Sequence, residues 1–316
     1  MSQSTLKRLR VVDQILTKVV RGYNLDQEFT GHHLFPDVEV TAMGGKIIKF
    51  GKEAFVVVDT SRAPGETVRS IGITYSSDDY ALENRLLEGK VPEEFAAEMN
   101  KIPGIKAQTL AVNQVMQKMR LEGEAKKAKL ATTASLYASG HTEALSGTSM
   151  WDNAASNPLE AISDGKAKIR KAIGRYPNVL HLDLYAFEAL KRHPKIIEHF
   201  KFTGEVSITA KMLAAYFDVE SVVVAKTVSV ATPDAPFGEV WGNNTVLAYV
   251  PPAAMRAAAV PSFGYNYVLD GTPKAEKGYF EESDRSWHYP VLMADQAVLT
   301  DNSAGFLFTN TATIKP

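Results

Sequence analysis

The chain has 316 residues, 45% of them apolar and 22% charged, which is the composition of a folded protein of one elaborate unit or two and excludes disordered, collagen-like and fibrous classes. Its 35 Lys plus Arg nearly cancel its 36 Asp plus Glu, so it lacks the basic surplus of a dedicated nucleic-acid binder. It has no cysteine, hence no disulfides, thiolate nucleophile or thiolate-bound metal, which fits a reducing cytoplasm.

The first residues carry charge with no apolar core behind them, unlike a secretory signal, and no run of about 18 apolar residues offers a membrane span. Leu9, Val12, Ile15, Leu16 and Val19 recur at helical spacing and predict a helix over 6–20. Short β-type runs follow at 38–41, 46–50, 55–58 and 70–75, punctuated by Gly44-Gly45, Gly51 and Pro64-Gly65. They read as a long hairpin or β-arm with too little apolar mass for its own core, so it must lie on something else, such as another copy of the chain.

After Pro92, and again after Pro103-Gly104, a helical pattern predicts a strut over 105–130, about 39 Å long at about 1.5 Å per residue. Gly123 weakens it, and two helices broken there are the alternative. A strand is expected over 131–137, a polar turn at 146–149, and a helix over 158–173 closed by Gly174. A mixed α/β stretch continues with strand 179–182, helices 185–192, 194–200 and 208–217, and strands 221–225 and 246–250. The chain ends in β-type runs at 263–269, 291–293 and 305–309.

Chemistry-bearing motifs are absent. Gly45-Lys46 has Val40 where a P-loop needs its first glycine and Ile47 where it needs Ser or Thr, and neither Gly-x-Gly-x-x-Gly nor Gly-x-Ser-x-Gly occurs. No two of the seven histidines stand four apart, and His32-His33 on an extended segment would point to opposite sides, so no metal site is expected. His193 and His199 fall near helix ends, as capping residues do. Lys126, Lys127 and Lys129 either contact nucleic acid or, the reading favoured with Glu122 and Glu124 among them, complement a helix C-terminus. Trp151, Trp241 and Trp287 are expected as packing anchors. An arm and a strut on an α/β body favour an assembly protein over an enzyme, although a Ser/His/Asp site could be built by the fold.

Several segments carry a resemblance. Leu34-Phe-Pro-Asp-Val-Glu-Val, Gly44-Gly-Lys-Ile-Ile-Lys-Phe, Arg62-Ala-Pro-Gly, Ser76-Ser-Asp-Asp-Tyr-Ala-Leu-Glu and Val91-Pro-Glu-Glu resemble, in that order, the N-terminal half of tailed-phage major capsid proteins. Leu145-Ser-Gly-Thr-Ser-Met-Trp, Tyr176-Pro-Asn-Val-Leu, Ala189-Leu-Lys-Arg-His-Pro-Lys-Ile, Trp241-Gly-Asn-Asn, Leu247-Ala-Tyr-Val-Pro-Pro and Pro261-Ser-Phe-Gly-Tyr continue it. The resemblance implies an α+β fold of the Hong Kong 97 capsid type. Its parts would be an N-terminal arm (1–42), an extended β-loop (43–85), the spine helix with the first part of a peripheral domain (86–175), an axial domain (176–260) and a β-return completing the peripheral domain (261–316).

It further implies a structural protein, not an enzyme, without cofactor or metal. Assembled in the bacterial host cytoplasm, the protein would form the pentamers and hexamers of an icosahedral virion capsid. The implied partners are its own copies, portal and scaffold proteins, a cement or decoration protein, and double-stranded DNA held by weak non-specific contacts, with no membrane. Inter-subunit contacts are expected at Lys46, Lys49, Lys52, Pro64 and Gly65 of the loop. Asp234 and Pro236 are expected there too, in a turn that is either the axial tip or a plain surface turn; Lys126, Lys127 and Lys129 are the candidate genome-facing residues. Residues 1–42 are too short for the cleaved scaffolding segment of some members, which implies a separate scaffold. Neither partner of the lysine–asparagine cross-link of others can be matched, so no cross-link is carried over. The alternatives are an encapsulin-like compartment shell and, from another class, a cytosolic α/β hydrolytic enzyme.

Overall fold

A computed structural model describes residues 12–22, 29–49, 56, 61, 76–102, 106–201, 207–253 and 260–313. Of the helix expected over 6–20, residues 6–11 lie outside the described residues, and helix α1 runs over Gln14–Gly22. Asp13 Oδ1 accepts the N–H groups of Ile15 and Leu16, 2.9 Å each, and so caps it, while Val12 upstream pairs with Glu276 in a β-bridge. Leu16 and Val20 face inward and Ile15 is 74% exposed, so the buried stripe is not the predicted one.

Strand β1 (Asp37–Val40) is followed by a two-stranded hairpin of β2 (Gly44–Lys49) and β3 (Ser76–Ala81), in register from Gly44↔Ala81 to Lys49↔Ser76. The expected runs at 55–58 and 70–75 lie outside the described residues, Val56 excepted. Next comes β4 (Glu83–Pro92), a strand with no counterpart in the sequence reading, then α2 (Glu93–Met99) and α3 (Ala107–Thr132). Helix α3 is continuous through Gly123, against the broken alternative. It buries Val112, Val115, Met116 and Met119 with Leu16 and Val20 of α1 in one cluster.

The strand expected over 131–137 is instead the end of α3 and a 3₁₀ turn at Ala134–Leu136. Thr132 Oγ1 and Thr133 Oγ1 donate to the carbonyls of Ala128 and Lys129 four residues back, which turns two β-branched residues into helix-end partners.

Beyond it lie β5 (Thr142–Ala144), α4 (Pro158–Ile173), β6 (Val179–Asp183), α5 (Leu184–Arg192), α6 (Pro194–Phe200), α7 (Ala210–Phe217) and β7 (Ser221–Ala225). Proline at the first turn of α4 and Gly174 at φ 69° after it set its bounds. The chain then forms β8 (Val228–Ser229), β9 (Gly238–Glu239), β10 (Asn244–Ala248), β11 (Gly264–Leu269), β12 (Lys274–Ala275), β13 (Tyr279–Glu281), β14 (Ser286–Leu299) and β15 (Gly305–Thr309).

Two sheets organise the body. In the first, β14 pairs antiparallel with β4, β11, β12 and β13, and β1 adds parallel to β11. The second runs β5-β15-β10-β6-β7 and buries Trp151, Phe306, Phe308, Ile162 and Leu180 in the main core.

A buried carboxylate ties these layers to α3. Glu124, 3% exposed, accepts the N–H groups of Thr30 (2.9 Å) and Gly31 (2.9 and 3.0 Å) and the indole N–H of Trp241 (2.8 Å). Thr30 Oγ1 stands 3.4 Å from the same carboxylate and 2.8 Å from His181 Nε2. With the proton of His181 on Nε2, donors and acceptors match along His181→Thr30→Glu124, while His181 Nδ1 is buried without a partner among the described residues. Gly31 is required here, because a Cβ would lie 2.7 Å from Glu124 Oε2.

Burial, and then the nearby His33 and His32, push His181 down to about 3. Asp183, which caps α5 by accepting from the backbone of Tyr185 and Ala186, is pushed up to about 6 by burial despite those bonds and one from Thr311.

Glu124→Ala strands three buried N–H donors and is expected to cost about 3 kcal/mol in thermal unfolding. Gly123→Ala places a Cβ 3.8 Å from the Arg85 guanidinium nitrogens, ordinary contact, and is expected to gain up to about 1 kcal/mol.

The two shifted groups act oppositely with pH. The unfolded chain protonates His181 below 6.5 while the fold resists to about 3, so that stability is lost as pH falls across this window; Asp183 gives stability below 3.8 that is lost as pH rises through about 6. Between about pH 4 and 6 the slopes offset, each near 1.4 kcal/mol per pH unit. Urea unfolding of Asp183→Asn should therefore show steep acid destabilisation, and His181→Gln should show the reverse slope.

Candidate assembly interface

The expected contact residues fall into two places. Lys46 is exposed on β2 opposite Asp79. Lys49 ends that strand, and Lys52, Pro64 and Gly65 lie outside the described residues. The hairpin is anchored at its base. Tyr80 stacks on Tyr267 at 4.4 Å and 8°, and Gly45 lies so close over Tyr80 that a Cβ would stand 2.8 Å from its hydroxyl. Burial, then Tyr265 and Tyr80, raise the Tyr267 hydroxyl to about 12, which keeps this anchor uncharged.

Asp234 and Pro236 are both exposed, in the turn between β8 and β9 where the Ala235 N–H bonds Thr232 O. Sequence reasoning passed over their neighbour Phe237, which is 76% exposed with Val228 and Val230 also open. A large apolar side chain at the tip of a β-turn is the signal that could have found it.

The three lysines of α3 differ. Lys126 bonds Glu83 and Glu122, the latter at 2.9 Å. Burial opposes its charge, yet hydrogen bonds with those two carboxylates win and raise its pKa, and Glu122 is lowered chiefly by the same bond. Lys127 is half-buried against Gly31 and Lys129 is exposed; among the described residues neither has an ion-pair partner. With Arg85, Gly123, Leu130 and Leu136 they line a pocket of about 380 Å³ between α3 and the β4-β14-β11 face.

Other expectations change. His32 and His33 sit in a 3₁₀ turn, not an extended segment, with rings 4.1 Å apart. His193 does hold the capping position, ending α5 with its N–H on Leu190 O and opening α6, but its side chain caps neither: Nε2 stands 3.1 Å from Ser156 Oγ, and both residues are buried. His199 packs edge-on to Phe200 and Tyr216 rather than capping α6. Trp151 and Trp241 are buried anchors, whereas Trp287 is 37% exposed. No group of three or more metal-ligating side chains occurs among the described residues, and no helix there is long and apolar enough to cross a membrane.

Comparison with known proteins points one way. The family model described as phage major capsid protein E matches residues 108–267. The major capsid protein of Burkholderia phage BcepMu is 35% identical over 272 residues, 85% of this chain and 87% of that protein. A crystal structure of a phage-related protein from Bordetella bronchiseptica RB50 superposes with a TM-score of 0.81 at 36% identity, covering 96% of this chain and 98% of that one. The mature capsid subunit of bacteriophage PhiM1 shares the fold at a TM-score of 0.51 and 13% identity, over 91% and 88% of the two chains.

Proposed function

The chain belongs to the phage major capsid protein family, and from that premise we propose how it builds a shell. It is a structural subunit with the α+β capsid fold, and many copies of it form the head. In our reading these copies form pentamers and hexamers of an icosahedral wall around double-stranded DNA, put together in the host cytoplasm on a separate scaffold with a portal at one vertex. A cement or decoration protein is a further partner.

The division into arm (1–42), β-loop (43–85), spine and peripheral part (86–175), axial part (176–260) and β-return (261–316) fits the pairing of the elements. Strands from both ends of the chain, β1 and β4 with β11 and β14, share one sheet. The axial part is not sealed off, because its sheet takes β5 and β15 from outside 176–260.

The observation that carries the reading is the β2–β3 hairpin. Two strands alone are marginal in water, and this pair is fastened to the body at its base, so the rest gains its stability from a neighbour. Lys46, Lys49, Lys52, Pro64 and Gly65 belong to this contact. Exposed Phe237, beside Asp234 and Pro236, favours the turn as an axial tip that copies cover around a symmetry axis. Near-zero net charge limits the wall's grip on DNA to weak, non-specific contacts, and Lys126, neutralised by Glu83 and Glu122, adds little to them.

Residues 45 and 81 lie at the base of the paired hairpin, where Gly44 faces Ala81 and Gly45 faces Tyr80, so excising 46–80 closes with a short linker. The excised protein is expected to stay folded and soluble and to form no shells in negative-stain electron microscopy, alone or with a scaffold. Intact shells from it would overturn the loop assignment.

A further inference from the structure

The pocket beside Gly123 has the chemistry of a receptor. Lys127 and Lys129 rim it without ion-pair partners among the described residues, its two carboxylates, Glu83 and Asp295, are taken by Lys126 and Arg85, and Leu130 and half-exposed Leu136 give it an apolar wall. Arg85 is nine-tenths buried at its side, with Nη2 on Asp295 and Nη1 donating to Met119 O at 3.1 Å, but its Nε is buried with no partner. Such a donor is normally satisfied. A Cβ at position 123 would fit, yet glycine keeps the helix backbone bare there at a cost in helix stability.

The complementary surface is on the same chain. Helix α2 turns Ala96 inward against Ala107 and Ala111 and leaves Glu94, Phe95 and Glu98 outside, Phe95 being 56% exposed. Glu93 is taken by Arg285, but Glu94 and Glu98 form no ion pair among the described residues. An acidic stripe around an open phenylalanine thus faces solvent, and a basic rim around an apolar hollow does the same elsewhere. The two cannot meet within one subunit. Helix α2 packs at the start of α3, and the rise from Ala107 to Gly123 along that rigid helix is about 24 Å.

We propose that α2 of one subunit docks in the Gly123 pocket of the next, Phe95 against Leu130 and Leu136, Glu94 and Glu98 toward Lys127 and Lys129. The proposal rests on the shell reading above and names a contact for it. Because the surfaces differ, the contact is head-to-tail, the kind that closes into rings. Duplex DNA fits the pocket less well, since a phosphate backbone seeks exposed cations without an apolar hollow.

The test is charge reversal with rescue, read as the assembled fraction in sedimentation velocity and electron microscopy under conditions where the wild type forms shells or rings. Lys127→Glu with Lys129→Glu, and separately Glu94→Lys with Glu98→Lys, are each expected to lower assembly about tenfold or more, and all four together to restore most of it. Phe95→Ala, at an exposed site, should lose assembly while its thermal unfolding stays that of the wild type. Two defective pairs without rescue, or normal assembly of Phe95→Ala, would overturn the contact. Normal shells from the lysine variant that retain less DNA would overturn it too and make the lysines genome contacts. A wild type that never assembles, alone or with a scaffold, would sink the shell reading itself and this contact with it.

Discussion

The Glu124 side chain is 3% exposed, so its carboxylate depends on partners in the protein, and these come from separate parts of the chain. The segment before β1 supplies the N–H groups of Thr30 and Gly31, the stretch before β10 supplies the Trp241 indole, and α3 supplies the carboxylate. A buried ion is stable only when its hydrogen bonds are complete, so the three parts must arrive together. His181 completes the set from the second sheet through Thr30. Glu124 thus holds the segment before β1 against α3, and β1 runs on from there to add parallel to β11.

The helix that carries Glu124 also sets the reach of the molecule. One end holds α2, the middle holds α1 and β14, and the far end meets the second sheet. A long rigid element with different surfaces at its two ends can transmit a fixed spacing from one neighbour to another, which short helices on flexible joints could not. The hairpin is the opposite device: two strands that bury Ile47 and are anchored at their base by one tyrosine stack and a close glycine.

What the sequence disclosed follows from which signals are local. Proline at 158 and 194 and glycine at 174 bound their helices because caps and left-handed backbone are properties of a few adjacent residues. The 26-residue α3 was legible from its period, though Gly123 left its continuity open. Strand β4 was not legible: Glu83-Asn-Arg-Leu-Leu-Glu-Gly-Lys lacks alternation, and its conformation comes from ten-residue pairing with β14 some 200 positions away. Threonines 132 and 133 misled for the reverse reason, their hydroxyls being used to end a helix. Glu124 looked like one anion in a charged run, and only burial revealed it; the pocket lysines looked like a helix-end cluster, and only the structure separates Lys126, paired with Glu83 and Glu122, from Lys127 and Lys129, which have no ion-pair partner among the described residues.

A wall made of this subunit has to reconcile strong shells with correct assembly. Strength comes from many modest contacts, because any single tight contact would trap wrongly joined subunits. Specificity then has to come from pattern, and a chain with net charge −1 can carry local acidic and basic surfaces without a field that attracts or repels everything. Charged rims around an apolar centre reject like-facing pairs and accept the head-to-tail one. Since such a contact fixes neighbours by one side chain in a hollow rather than by a continuous strand, it tolerates small changes of angle between copies, which a closed shell built from one chain requires.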